Sequence, residues 1–420
     1  MSVTAENNYF KKYLNLPYHL GVFLGVNAVP DSILVMDGLN CIMPKVEYVA
    51  GNHDMTSTLL SSSNMHRVIC TMHGPLPQKG NHDKDLIRYL KGVADSKTFS
   101  LVFLTGLPFL KLTGVDYEGI AASVKGRAGV IDIPPLSLSG DWLDGYEDTL
   151  CSAVRALPAA SGKKKKNGVA VVGYMWDRGE GDHESNIKEI KKLLGRCGLD
   201  VLCVLPSGRG FAGMKRALEA EYIISFPYGR KAAEALAEKS GAKIIETGLP
   251  IGFSGTSGWV SSVCRGAGVL PPPGLFAEEK KAALSVARNV GRFSGKKVMF
   301  AGDPYLFAAM TCFVGELGMD MKCAVLFSNP KETGCGKLAE DMFFSPDRNE
   351  VFAYLKESHN FDLVIGNSFA RSEGLSLKDP FVELGFPSYS YHCLTPSPFM
   401  GFDGAKLLCA RIFNALLSIP

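Results

Sequence analysis

KKKKNGVAVVGYMWDRGEGDHESNIKEIKKLLGRCGLDVLCVL, residues 163–205, decides how the chain is read. A lysine run gives way to the apolar run Val169-Ala170-Val171-Val172-Gly173, and a loop rich in Gly and Asp follows. Ile187, Ile190, Leu193 and Leu194 then recur at helical spacing, with Lys188, Lys191 and Lys192 off that face. Gly195 and Gly198 are expected to stop the helix before a second apolar run, Val201–Leu205. Strand, loop, helix and strand in this order form the building unit of a parallel sheet.

The unit recurs on both sides. Before it, Ile33–Asp37, Val46–Ala50, Arg67–Met72 and Leu101–Thr105 read as short buried strands. Asp83–Val93 and Asp144–Leu157 read as helices, the second with Asp144 as its cap. After it come the helix Ala212–Glu221, the strand Tyr222–Phe226, the helix Gly229–Lys239 and the strand Lys243–Thr247. A further helix near 256–266 precedes Pro271-Pro272-Pro273. Beyond the prolines, the helix Phe276–Phe293 leads into Gly295–Asp303, which repeats the strand-then-Gly/Asp pattern. The helix Leu306–Leu317, the strand Lys322–Phe327, the helix Glu350–Ser358 and the strand Leu363–Gly366 follow. This alternation predicts an α/β protein of three Rossmann-like lobes, each a mostly parallel sheet flanked by helices. The lobes are expected at 1–160, 168–270 and 275–420, with Ala159–Asn167 a solvated lysine-bearing linker.

Composition excludes several classes. With 21% charged residues and a formal net charge of +3, nothing points to nucleic acid or a membrane surface. Eleven cysteines without regular spacing fit a reducing compartment better than a disulfide framework. Lys11, Lys12 and the uncharged stretch Tyr13–Pro30 resemble a signal peptide ending near Ala28. Asn15, Pro17, His19 and Asn27 interrupt its apolar region, and no stretch has the ~18 apolar residues of a membrane span, so a cytoplasmic protein is expected.

Candidate motifs are few. Gly51-Asn52-His53-Asp54 matches the Asn-His-Asp ligand motif of binuclear metallophosphoesterases, but the further Asp and His clusters that hold two cations are missing. A second GNHD, at 80–83, reads as a turn and helix cap. The loops at Gly173–Gly181 and Gly302 lack both GxGxxG and GxxxxGK[ST], so they read as closures of βα turns. Cys41 follows Asp37-Gly38-Leu39-Asn40 directly after a strand, a place suited to a metal or cluster ligand. Cys70, Cys197, Cys203, Cys312, Cys323 and Cys409 lie in helix or strand patterns, where packing is the default. No CxxC pair occurs, so spacing alone defines no self-contained cluster or zinc site.

The end of the chain adds a resemblance. Gly385-Phe386-Pro387-Ser388-Tyr389, then Pro398-Phe399-Met400-Gly401-Phe402-Asp403-Gly404-Ala405 and a helix over Lys406–Leu417, resemble the closing segment of the nitrogenase component 1 family. That family includes the nitrogenase molybdenum–iron protein subunits, their cofactor-assembly homologues and the dark-operative protochlorophyllide reductases. Asp37–Cys41 resembles its His-Gly-Pro-x-Gly-Cys turn, Thr113-Gly114-Val115-Asp116 its Ile-Gly-Asp-Asp turn, and Gly140–Tyr146 its Gly-Ser-x-x-x-Gly-Tyr element. Val169–Gly181 and Gly295–Asp303 resemble the opening strands of its second and third lobes.

The resemblance implies an oxidoreductase subunit that pairs with a second component 1-like chain in a homo- or heterodimer. It implies low-potential electrons from an ATP-hydrolysing iron–sulfur reductase, and a substrate or cofactor between the lobes. The family's other cluster cysteines would fall near Asn15–Tyr18 and Gly106–Pro108, where this chain has none. An iron–sulfur cluster, a [4Fe–4S] type in many members, would therefore rest on Cys41 with Cys70, a partner's cysteines or an oxygen ligand. Ser225 stands near the place of the nitrogenase cofactor's cysteine ligand, and Tyr391-His392 near its histidine. No iron–molybdenum cofactor is expected, and Ser225, Tyr391 and His392 are expected to line the inter-lobe pocket. The alternative is a non-catalytic scaffold of the same fold that holds a metallocofactor or tetrapyrrole.

Overall fold

A computed structural model describes residues 13–61, 65–74, 82–160, 162–207, 210–332, 338–358, 361–375 and 379–417. Lys11, Lys12 and the Gly80-Asn81 half of the second GNHD lie outside them. Three separate sheets are present, and every strand pair within them is parallel. The first contains β1 (Ser32–Asp37), β2 (Val68–Cys70), β3 (Leu101–Gly106) and β4 (Gly129–Asp132), in the order β2-β1-β3-β4. The second repeats that order with β5 (Lys165–Val172), β6 (Asp200–Leu205), β7 (Ala220–Ser225) and β8 (Lys243–Glu246), arranged β6-β5-β7-β8. The third has β9 (Lys297–Gly302), β10 (Asp320–Leu326), β11 (Asp341–Phe344), β12 (Leu363–Gly366) and β13 (Phe381–Glu383), arranged β11-β10-β9-β12-β13. β1, β3 and β12 are buried along their whole length, and β9 is buried after its first residue. This is why they read as continuous apolar runs and not as alternating ones.

Four local expectations need correction. Val46–Ala50 belongs to a helix, Met43–Val49, with Pro44 in its first turn and Val46 and Val49 buried three apart. The β-branched residues suggested a strand, whereas the proline and the three-residue spacing set the helix. The lysine run is not simply a linker, because β5 already begins at Lys165, whose ammonium pairs with Asp200 while Lys164 bonds the Ala220 carbonyl. The cap of the Trp142–Arg155 helix is Asp141, three residues earlier than expected. Asp144 instead closes a reciprocal capping box by accepting from the Asp141 amide. Gly195 lies inside the Gly181–Arg196 helix, and Gly198, at φ 74°, follows its end.

The stretch resembling a signal peptide is a core helix, Tyr18–Asn27, with all ten residues buried. It crosses the Trp142–Arg155 helix at backbone contact. A Cβ on Gly21 would lie 1.7 Å from the Trp142 carbonyl oxygen, and one on Gly145 would lie 2.0 Å from that of Tyr18. The same central helix reaches the other two sheets. Trp142 Nε1 donates to the Phe327 carbonyl, just past β10, at 3.0 Å, and the Tyr146 hydroxyl donates to the Tyr174 carbonyl, just past β5, at 2.8 Å. Among the described residues no helix is long and apolar enough to cross a membrane.

Gly145→Ala should therefore destabilise the protein by about 3 kcal/mol or more, since backbone and not a side-chain tip must move. Gly92→Ala is the control: Gly92 is exposed in the His82–Ala94 helix with nothing within 4 Å of the new Cβ. It should stabilise by about 0.5–1 kcal/mol. Urea unfolding of the two variants beside the parent checks both signs.

Candidate functional site

The two loops after β5 and β9 close βα turns, as the sequence suggests. Gly173, at φ 88°, packs so tightly on Gly229 that a Cβ would lie 2.6 Å from the Gly229 amide nitrogen. Asp303 caps the Pro304–Glu316 helix through the Tyr305 and Leu306 amides and accepts from the Tyr228 hydroxyl of the second lobe. Burial pushes its carboxyl up to about 6.

The rest of the Tyr174–Asp182 loop carries the junction of the three lobes. Arg178, 4% exposed, donates through Nη2 to Asp182 at 2.7 Å and through Nε to both Asp182 oxygens. Its Nη1 reaches the carbonyls of His53 in the first lobe, at 3.4 Å, and Ser388 in the third, at 3.5 Å. Burial opposes the charge, but the hydrogen bonds to Asp182 and the charges of Asp182 and Glu180 more than offset it and raise its pKa. Glu180 accepts from the Cys393 amide at 2.7 Å and lies 2.6 Å from His392 Nδ1. Tyr391 stacks under the Arg411 guanidinium at 4.1 Å, and Arg411 donates to the Glu383 carbonyl. Glu383 in turn gathers the Ser388 hydroxyl and the amides of Ser390 and Tyr391. Glu180, Asp182 and Cys393 could converge on a cation, but the guanidinium already fills that role.

The GNHD motif at 51–54 is part of this junction. His53 is buried, and its Nδ1 accepts the Ser388 amide at 3.1 Å. Burial, then the charge of Arg178, lowers its pKa to about 3, so it is neutral. Asp54 accepts from Asn27, from the Thr56 hydroxyl and amide, and from the Gly179 amide of the second lobe. Neither residue joins a group of metal-capable donors among the described residues. The motif clamps lobes together.

Of the expected pocket residues, Tyr391 lines the central cavity together with His53, Trp176, Arg178, Glu383 and Arg411. That cavity has a volume of about 20 Å³, room for about one water-sized molecule. His392 lies beside it through Glu180. Ser225 is buried at the end of β7, its hydroxyl bonded to the Phe226 carbonyl, and is not brought to the same cavity. The roomier space is a cleft of about 480 Å³ between the first and second lobes, walled by Asn27, Asp54 and Thr56 on one side and Asp177, Arg178 and His183 on the other. Arg178 lines both.

Cys41 and Cys70 come together at the carboxyl end of the first sheet. β1 and β2 pair with Met36 opposite Cys70, which sets the thiol of Cys70 3.8 Å from the side-chain oxygen of Asn40. Burial, and next the electrostatic influence of nearby Cys41, push the Cys70 thiol up to about 11. Cys41 is exposed, and Leu39 and Met72 beside the pair are 37% and 57% exposed. Among the described residues neither thiol belongs to a group of three convergent donors. The pair by itself is therefore not a complete ligand set.

Three lobes, each a parallel sheet flanked by helices, define an α/β architecture of the Rossmann-like type. The sequence profile of the nitrogenase component 1 type oxidoreductases matches residues 80–417, and the chain belongs to that family. It is 24% identical to the nitrogenase vanadium-iron protein beta chain of Trichormus variabilis, over 93% of this chain and 90% of that one. It is 28% identical to a light-independent protochlorophyllide reductase chain of Rhodospirillum rubrum, over 54% of this chain and 43% of that one. A solved structure of nitrogenase Cp1 at pH 6.5 superposes with a TM-score of 0.79 over 99% of this chain and 95% of that one, at 16% identity.

The neutral, buried His53 sets a pH dependence. Its folded pKa of about 3 lies below the unfolded value of about 6.5, as does that of His19, lowered to about 4 by burial and the charge of Lys45. Both contribute stability above about pH 6.5 that is lost as pH falls toward 4 and 3, by up to about 1.4 kcal/mol per pH unit each. His53→Gln keeps a neutral acceptor for the Ser388 amide and removes one of the two contributions. Thermal melts across this range should show a shallower acid decline in the variant; equal slopes would refute the assignment.

Proposed function

We propose that the chain is one subunit of a two-component reductase. It pairs with a second component 1-like chain, takes low-potential electrons from a separate ATP-hydrolysing iron–sulfur protein, and serves a substrate or cofactor in the inter-lobe cleft. The observation that carries this reading is the thiol pair of exposed Cys41 and half-buried Cys70, beside apolar Leu39 and Met72 where a second chain could dock. In this reading the two thiols supply part of the ligand set of an iron–sulfur cluster and the partner supplies the rest. Such a cluster would provide one-electron transfer at low potential. Cys70, with its raised pKa, needs a metal ion to hold it as thiolate at neutral pH.

Within the chain, the 480 Å³ cleft offers the room, and Arg178 links it to the centre lined by Tyr391 and buttressed by His392. Ser225 sits at the carboxyl end of β7 in the middle sheet. We take the lobes as units spanning 1–160, 168–270 and 275–420. The buried cysteines Cys151, Cys197, Cys264, Cys323, Cys393 and Cys409 form no disulfide, in keeping with a reducing, cytoplasmic setting.

One observation favours the non-catalytic alternative: the centre of the lobes is filled by paired charges around a cavity of about 20 Å³. Such a chain would bind a metallocofactor or tetrapyrrole, or only its partner, without a cluster of its own. Anaerobic purification of the complex with its partner chain separates the two readings. Stoichiometric iron and acid-labile sulfide, both lost with reductase activity in Cys41→Ala, are expected. An iron-free complex, or one whose activity survives Cys41→Ala, would establish the scaffold instead.

A further inference from the structure

We infer that the first lobe carries a mononuclear site for a divalent transition-metal ion of the zinc or ferrous class, built from Asp37, His73 and His82. The inference is independent of the cluster reading, because neither Cys41 nor Cys70 belongs to the donor group. One donor atom from each of the three residues lies within 4.8 Å of the other two. Two imidazoles and a carboxylate are a donor set suited to zinc and to non-haem ferrous iron.

The fold places these residues where ligand sites form. Asp37 ends β1, opposite Gly106 at the end of β3, and the chain leaves β1 for β2 on one side and returns to β3 on the other. That is the topological switch point of the first sheet, the crevice where open parallel sheets bind ligands. His73 follows β2 by three residues, and His82 opens the next helix.

The surroundings are arranged as an outer shell. Asp37 is fully buried, and each of its oxygens has one hydroxyl and one imidazole. Oδ1 accepts the Thr71 hydroxyl at 2.6 Å and lies 2.7 Å from His73 Nδ1. Oδ2 accepts the Tyr117 hydroxyl at 3.0 Å and lies 2.9 Å from His82 Nε2. The two hydroxyls hold the carboxylate in place and leave each oxygen a second contact, made to an imidazole. Behind His82, its Nδ1 lies 3.0 Å from Asp83 Oδ1, the carboxylate–histidine arrangement that orients metal-ligating imidazoles. The rings of His73 and His82 are 4.6 Å apart. A route from solvent exists as well: His73 lines an open cavity of about 740 Å³ with Thr71, Asp85 and Tyr89, on the side where a fourth ligand, water or a small anion, could enter.

The test uses the full chain, stripped with a chelator and titrated with zinc by calorimetry, and with cobalt(II) as an optical probe. One equivalent should bind, and binding should raise the melting temperature, since the ion joins three chain segments only in the folded state. The site should survive the Cys41→Ala, Cys70→Ala double variant and be lost in His73→Ala and in His82→Ala. Asp83→Asn should keep the stoichiometry and weaken the affinity about 10–100-fold. Should a histidine variant fail to fold, the cobalt spectrum of the parent decides. Visible d–d bands without thiolate charge transfer support the site, and a thiolate charge-transfer band overturns it. Absence of a stoichiometric site in the parent, or one that persists without both histidines, also overturns it.

Discussion

A single buried guanidinium holds the centre of this molecule. Arg178 comes from the second lobe, yet two of its hydrogen bonds end on carbonyls of the first and third lobes, at His53 and Ser388. Burying a charge costs several kcal/mol, and the cost is met only where geometry and further hydrogen bonds are good. Here Asp182 supplies a close, multiply bonded partner and Glu180 a second carboxylate, and Glu180 is itself tied to the third lobe through Cys393 and His392. The arrangement is satisfied only when all three lobes are in place. Loss of the first or third lobe leaves the Arg178–Asp182 pair intact but strips the guanidinium of a carbonyl hydrogen bond, a loss of about 1.5–3 kcal/mol for a bond to a charged group. Polar pairing thus adds a defined orientation to an apolar core that runs continuously through all three lobes.

The central helix, Trp142–Arg155, makes this junction possible. Its glycine-mediated contact with Tyr18–Asn27 brings two helix axes together without side chains between them. Trp142 and Tyr146 are thereby presented to the loops just past β10 and β5. Lys231 at the start of a second-lobe helix pairs with Asp148 on the same helix at 2.8 Å. The carboxyl ends of the second and third sheets are thus anchored to one rod, and the loops that follow their strands are brought toward one point.

This hierarchy explains what was legible in the sequence. β9, β10 and β12 could be read because fully buried parallel strands are apolar runs bounded by glycine. Val46–Ala50 misled because the same β-branched composition fills a short helix whose first-turn proline carried the better signal. Arg178 and Glu180 lie in a loop, and Asp182 in the helical turn that follows it, where the only sequence signal is Gly and Asp content. The partners of Arg178 and Glu180 in the other lobes are more than a hundred residues away in sequence, and no periodicity links them. Asp37, His73 and His82 were hidden for a related reason. Only the register that sets Met36 beside Cys70 brings the residues after β1 and β2 together, and His82 sits in a motif that reads as a turn. Cys41 was the exception, since its place directly after a strand was itself the signal.

The division of labour in space then follows from burial. The centre of the lobes holds charges that are paired, neutral or bonded to backbone, with space for about one water-sized molecule. Groups so constrained are poor candidates to change partners during a reaction, because each change would leave a buried charge or amide unsatisfied. The end of the first sheet is the opposite case. Its thiols and imidazoles are half-buried or exposed, and its one fully buried carboxylate, Asp37, faces two imidazoles and not a guanidinium. Groups able to exchange a hydrogen-bond partner for a metal, or solvent for a second chain, are concentrated there. Lobe orientation thus belongs to the interior and ligand exchange to the sheet end, where a change of ligand leaves the bonds of Arg178 in place.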